Sequence, residues 1–502
     1  MTTLEATLKE RFGFEAFRPG QKEVIEDILK GHDVFCMLPT GSGKSLCYQL
    51  AGELLGGLVV IVSPLVSLME DQVEALRLHG EKRAAALNSF LGREEKERLL
   101  RSLHECRFLY ISPEMLQSER VRRALKRANV TLFVVDEAHC VSEWGYEFRP
   151  DYLKLGAIRE DIGRPPCLAM TATADEKTRA DIIARLGIAH CRLHLYGVDR
   201  PNIAIAVEKM DTGAEKLERL IELVTNLQSP GIVYFSSRKA AEAVHAVLRS
   251  RTKVRTAYYH AGMDAEERLL VQNQFFYDQL DVVCATTAFG MGINKANVRY
   301  VIHFHYPLYV NAYLQEIGRA GRDGKPSVAI ALVAKEDHLL PERLIHREFP
   351  EVDRLPALIR SIRTAGSALD RAAAEAVLTE AGLSETAGRF LVETLSALDE
   401  EGRKPLHDVI RRIEKRIAER KAVKFRELSI MREWLETTGC RRQAMLRLFH
   451  EEKAGNAGDC CDACGLDLNV YRKPCAQGRE TPLLDPWQKR LAKLFGCAAP
   501  AR

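Results

Sequence analysis

Short β-branched apolar runs separated by longer amphipathic stretches set the rhythm of the first two-thirds of the chain. VVIVS at 59–63, FLYIS at 108–112, TLFVVD at 131–136 and CLAMT at 167–171 form a first series. GIVYFS at 231–236, VVCAT at 282–286, YVIHF at 300–304 and VAIALV at 328–333 form a second. Apolar runs without alternation predict strands buried on both faces, as in parallel sheets joined by helices. Two α/β units are therefore expected, with the polar, proline-containing YGVDRPN at 196–202 as the hinge or linker between them. Beyond about residue 338 the strand signal stops, and helical spacing with many charges predicts a mainly α region. The expected divisions are 1–198, 199–338, 339–424, a cysteine-bearing module at 425–470 and a tail at 471–502. Inside the α region, AAAEAVLTEAGLSETAGRFLVETLSALDEEG reads as a helix-turn-helix, with its turn at Gly382 and a second helix led by Ser384.

Composition narrows the class. The 502 residues are 46% apolar, enough to give each of about three units a core at roughly 150 residues per unit. No apolar run approaches the roughly 20 residues of a membrane helix, and MTTLEATLKE lacks a basic-then-apolar signal segment, so a soluble, cytoplasmic protein is expected. A net charge of +4 is too small to argue for a polyanionic partner by itself. Charge is concentrated, however, between Arg403 and Lys453, where 15 Lys and Arg face eight Asp and Glu. That stretch is a candidate duplex-backbone footprint, and a solvated charged helix explains 403–426 equally well. Nine of the 13 cysteines are scattered, whereas Cys440, Cys460, Cys461 and Cys464 bunch together. Four thiolates can close a tetrahedral Zn²⁺ site; free thiols or a redox pair are the alternatives, and Asp459, Asp462 and Cys475 lie near enough to compete.

Two further segments carry phosphate chemistry. PTGSGKS, comprising Pro39, Thr40, Gly41, Ser42, Gly43, Lys44 and Ser45, reads as a phosphate-binding loop for ATP, although Leu38 stands where the strict pattern has glycine. Its glycines admit backbone N–H groups to the phosphates, Lys44 would neutralise the β and γ oxygens, and Ser45 would ligate Mg²⁺. TLFVVDEAH then ends a strand in adjacent carboxylates: Asp136 to hold Mg²⁺ and Glu137 to orient and deprotonate water.

DEAH at 136–139 together with PTGSGKS resembles the superfamily 2 helicases. FGFEAFRPGQ at 12–21, SPLVSLMEDQ at 63–72, DEAHCVSEWGYEFRPDY at 136–152, MTATA at 170–174, AFGMGINKANVRYVIHF at 288–304 and QEIGRAGRDG at 315–324 narrow the resemblance to the RecQ family of DNA helicases. The resemblance implies two RecA-like parallel-sheet domains followed by a mainly α region with a zinc-binding module. It implies adenine recognition by Phe14, Arg18 and Gln21, with Gln21 pairing to the base and Phe14, where the family more often has Tyr, only stacking. Gln315, Arg319 and Arg322 are expected on one helical face, the arginines reaching across a cleft to the γ-phosphate as fingers. The loop between Glu137 and Asp151, with His139, Trp144, Tyr146, Phe148 and Arg149, is expected to stack on single-stranded DNA, and the turns at Ser63 and Ser236 to touch its phosphates. The implied activity is ATP- and Mg²⁺-dependent unwinding of tailed or forked DNA, moving 3′ to 5′ as a monomer, in recombination or repair. Only about 38 residues follow Cys464, too few for the family's winged helix, so the helical unit ahead of the zinc module would have to replace it or the protein would be a shortened member. Rival readings are a translocase that does not separate strands, an RNA-directed helicase, and a non-catalytic zinc-dependent DNA-binding regulator.

Overall fold

The computed structural model describes residues 4–64, 66–88, 91–142, 150–289, 295–364, 371–400, 405–453 and 460–473. Strands β1 (Val34–Met37), β2 (Leu58–Val62), β3 (Ala84–Leu87), β4 (Phe108–Ile111), β5 (Val130–Val135), β6 (Cys167–Thr171) and β7 (Arg192–Leu195) form one sheet in the order β3-β4-β2-β5-β6-β1-β7. Strands β8 (Ile203–Met210), β9 (Gly231–Tyr234), β10 (Thr256–Tyr259), β11 (Val282–Ala285), β12 (Tyr300–His303) and β13 (Ser327–Ala334) form a second, in the order β10-β11-β9-β12-β13-β8. Every strand pair in both sheets is parallel.

Because successive side chains point to opposite faces, each sheet builds two cores. In the first, Phe35, Val60, Leu109, Phe133 and Ala169 pack on one face, and Cys36, Ile61, Phe108, Val134 and Leu168 on the other. In the second, Ile232, Val283 and Val301 oppose Val233, Cys284 and Ile302. All eight apolar runs read from the sequence are strands. Five strands lie outside those runs: β1, which leads into the phosphate loop, and β3, β7, β8 and β10, the four sheet edges. An edge strand packs less of its surface and carries polar or small residues, as in RLHL of β7 and AAAL of β3, so its pattern fades into that of a loop.

The α region shares one core with the second sheet, since Leu391, Val409, Trp434 and Met445 pack in the same cluster as Ile232 and Val301. Helices Arg371–Glu380 and Glu385–Glu400 meet at Gly382, whose φ of 77° supplies the left-handed turn, and Ser384 Oγ accepts the Ala387 N–H at 3.2 Å. A 31-residue helix, Leu406–Glu436, follows. The division expected at 424/425 therefore falls inside one continuous rod. Trp434 near its end packs on Tyr313, ring centroids 4.7 Å apart, and donates from Nε1 to the Arg441 carbonyl. After it, the cysteine-bearing segment lies along the β8 edge, where the Ile205 N–H donates to the Cys460 carbonyl at 3.2 Å. Among the described residues no helix is long and apolar enough to cross a membrane.

Candidate active site

The phosphate loop runs from β1 into helix Lys44–Leu55, with Gly41 and Gly43 at φ of 86° and 82°, a conformation that favours glycine. Asp136 follows β5, its N–H bonded to the Val62 carbonyl, so both elements converge at the same end of the sheet. Ligands of open parallel sheets bind at that carboxyl end. Burial, then the adjacent Glu137 charge, raises the Asp136 pKa to about 6, with Lys44 opposing.

One cleft of about 490 Å³ is lined by Phe14, Arg18, Gln21, Thr40, Gly41, Gly43, Lys44, Ser45, Asp136 and Glu137 from the first unit. Gln315, Arg319 and Arg322 from the second unit close it. Burial, then the neighbouring Arg319 and Arg200, lowers the Arg322 pKa to about 9, the mark of cations crowded together. Ser42 Oγ and Arg319 Nε are buried without hydrogen-bond partners. Crowded cations, unmet polar atoms and left-handed loop glycines fit a polyphosphate. The Phe14 ring on the cleft wall is 52% accessible.

The structure adds to one expectation, for Gln21, and corrects two others. Gln21 is 2% exposed; its Oε1 accepts the Arg18 N–H at 2.9 Å and its Nε2 donates to the Ser42 and Gly43 carbonyls at 2.8 and 3.2 Å. Its amide braces the phosphate loop at the wall of the same cleft. Gln315, Arg319 and Arg322 do not share a helical face: helix Val310–Ile317 stops at Gly318, and the arginines sit on the turn that follows, with Gly321 at φ 54°. His139 is 1% exposed, Nδ1 3.1 Å from Thr171 Oγ1 and 3.4 Å from Glu137, so it lies behind the carboxylates instead of facing a DNA strand.

Of the other expected strand contacts, Ser63 is also buried, which removes its hydroxyl from any strand on the surface. Ser236 is half-buried at the end of β9, its N–H directed at His305 Nδ1. Trp144, Tyr146, Phe148 and Arg149 lie outside the described residues. Four members of the basic stretch are paired internally: Arg441 with Asp462, Arg442 with Asp199, Lys424 with Glu348 and Arg432 with Glu342, whereas Arg411, Arg412, Lys415 and Arg426 are exposed.

Cys440, Cys460, Cys461 and Cys464 bring their sulfurs within 4.8 Å of one another. Cys440 lies 3.6 Å from Cys460 and 4.0 Å from Cys461. Zinc–sulfur bonds of about 2.3 Å place tetrahedral sulfurs about 3.8 Å apart, so the set fits zinc. Cys440 caps helix Arg441–Arg447 and accepts the Gln443 N–H, while the Arg441 N–H points at Cys461 Sγ. Asp462 is engaged by Arg441 and is no rival ligand; Asp459 and Cys475 lie outside the described residues.

Sequence reading missed Arg200 in the linker, which bonds to both units, and Arg442 and Glu451 in the cysteine module, which hold that linker. The only available signal was the Asp-Arg-Pro-Asn run between two α/β units, which looks like solvated linker.

Known proteins bear on these features. Residues 18–182 match the family described as DEAD/DEAH box helicase, 215–324 the helicase conserved C-terminal domain, and 406–465 the RecQ zinc-binding family. The chain is 46% identical over 497 residues to the probable ATP-dependent DNA helicase RecS of Bacillus subtilis, covering 99% of this chain and 98% of that protein. It is 39% identical over 345 residues to the ATP-dependent DNA helicase RecQ of Haemophilus influenzae, covering 68% of this chain but only 55% of that longer protein. Among solved structures, the helicase MrfA bound to DNA matches 66% of this chain and 51% of its own, at 18% identity and a TM-score of 0.56. The DEAD-box helicase Mss116 bound to single-stranded RNA matches 90% of this chain and 98% of its own, at 17% identity and the same TM-score of 0.56. At such identities these two report the fold alone.

Proposed function

The chain belongs to the RecQ family of helicases, and on that premise we propose that it is an ATP-dependent DNA helicase. The observation that carries the reading is the shared cleft, with the phosphate loop and the Asp136–Glu137 pair on one sheet and Gln315, Arg319 and Arg322 on the other. In this reading Lys44 and the loop N–H groups hold the ATP phosphates, Phe14 stacks on adenine with Arg18 beside it, and Ser45 and Asp136 hold Mg²⁺. Mg²⁺ bound there supplies charge neutralisation at the β and γ oxygens. Glu137 orients and deprotonates the attacking water, and Arg319 and Arg322 stabilise charge on the γ-phosphate when the two units close. The four cysteines hold one structural zinc. The protein works as a monomer in the cytoplasm, moving 3′ to 5′ on single-stranded DNA and opening tailed or forked duplexes in recombination and repair. Trp144, Phe148 and Arg149 stack on the unpaired strand.

Strand separation on matched duplexes with a 3′ or a 5′ single-stranded tail tests the polarity. Opening of the 3′-tailed duplex alone is expected. Opening of the 5′-tailed duplex alone would reverse the direction, and ATP turnover without opening of either would make the protein a translocase.

A further inference from the structure

The linker between the two sheets is pinned along its length. Val198 N–H donates to both carboxylate oxygens of Glu451, at 2.9 and 3.0 Å. Arg442, buried in the cysteine module, pairs with Asp199 and donates to the carbonyls of Arg200 and Ile203. Held in this way, Arg200 sends its guanidinium between the units. Nη1 donates to the Thr40 carbonyl of the phosphate loop at 2.7 Å and to Gly318 at 3.2 Å. Nη2 donates to Ala320 at 3.2 Å and Gly321 at 2.8 Å, on the turn that carries Arg319 and Arg322. The two backbones approach so closely that a Cβ on Gly318 would lie 2.9 Å from Thr40 Cβ.

Arg200 does not line the nucleotide cleft. It lines a separate small cavity behind the loop, with Pro39, Thr40, Gly318, Arg442 and Met445. We propose that Arg200 is a positioning residue that registers the arginine turn of the second unit against the phosphate loop of the first. The cysteine module, through Arg442 and Glu451, fixes where Arg200 stands. Three of its four carbonyl partners belong to the second unit, so Arg200 travels with that unit, and the Thr40 bond is the one made on closure. A planar guanidinium can span four carbonyls from one position; the compact ammonium of lysine cannot. The chemistry then depends on a metal-binding module that never touches the nucleotide.

This inference rests on the ATPase reading above. The test uses the full chain as wild type, Arg200→Ala, Arg200→Lys, Arg442→Ala and the Arg200→Ala/Arg442→Ala double variant. Four quantities are read: kcat for ATP at saturating single-stranded DNA, KM, affinity for a fluorescent ADP analogue, and zinc per chain. Both Arg200 variants should lose about 10- to 100-fold in kcat, the scale of misplaced reacting groups. ADP-analogue affinity should stay within about threefold and zinc content should not change, because the nucleotide and metal contacts are intact. Arg442→Ala should also lower kcat, and the double variant should fall no further than the worse single change, since both act through one element. An active wild type whose Arg200→Ala and Arg200→Lys variants keep kcat within about twofold would overturn the proposal alone. So would parallel loss of ADP-analogue binding or additive effects in the double variant. A wild type with no DNA-stimulated turnover would remove the ATPase reading and this proposal with it.

Discussion

Glu137 has a φ of 46°, a left-handed backbone that costs a non-glycine residue about 1–3 kcal/mol and persists where the surroundings impose it. Here its N–H is bonded to Asp136 Oδ1 at 3.0 Å, and its carboxylate faces His139 at 3.4 Å. His139 Nδ1 is hydrogen-bonded to Thr171 Oγ1 at the end of β6, so the imidazole is held close behind the carboxylate. Glu137→Gln keeps the volume and removes the base. Steady-state turnover is expected to fall by about 10²–10⁴-fold, the usual scale for a lost general base, while an ADP analogue still binds. Near-normal turnover would remove Glu137 from the chemistry. Residue types at this scale were legible from spacing: PTGSGKS and DEAH announce phosphate and carboxylate chemistry without a structure. What each side chain touches was not. Gln21 turned inward to the loop and His139 was covered by β6 because tertiary packing, not local pattern, decides burial.

At the scale of elements, the second sheet is tied to its flanking helix by an ion pair out of water. Lys216, on helix Gly213–Asn226, is fully buried and donates to Asp337 at 2.6 Å, with the Phe304 ring 4.4 Å below its ammonium. Burial lowers the Lys216 pKa, and Asp337 opposes that shift. Asp337 also accepts the Ala334 N–H at 2.7 Å, closing the end of β13. Asp337→Ala strands a buried ammonium and should cost about 3–5 kcal/mol in chemical denaturation, whereas Lys216→Met should cost much less. Equal costs for the two variants would mean the pair is solvated. Central strands other than β1 were legible as apolar runs; the edges were not, and the β8 edge is where the cysteine module docks. Through that docking, a ligand change is an event in the second sheet. Cys461→Ser leaves three ligands, and elemental analysis should find less than about a tenth of a zinc per chain, with lower solubility. Full zinc content in that variant would exclude Cys461 as a ligand.

On the scale of the whole molecule, two parallel sheets face one cleft, and neither supplies a complete site. The first holds the phosphate loop and both carboxylates; the second holds the arginines. The alternation of strands and helices made this division readable. The contact between the divisions was not, because Arg200, Arg442 and Glu451 are ordinary charged residues until the fold brings residues some 240 positions apart together. A cleft that works only when both halves meet makes turnover depend on whatever brings them together, and in this account that agent is single-stranded DNA. The most direct measurement is the ATP hydrolysis rate of the full chain with no nucleic acid, with single-stranded DNA and with single-stranded RNA of the same sequence. A low rate alone, a rise of at least about tenfold with DNA and a much smaller rise with RNA are expected, with all three rates abolished in Lys44→Ala. A rate unaffected by DNA, or one that survives Lys44→Ala, would contradict this reading.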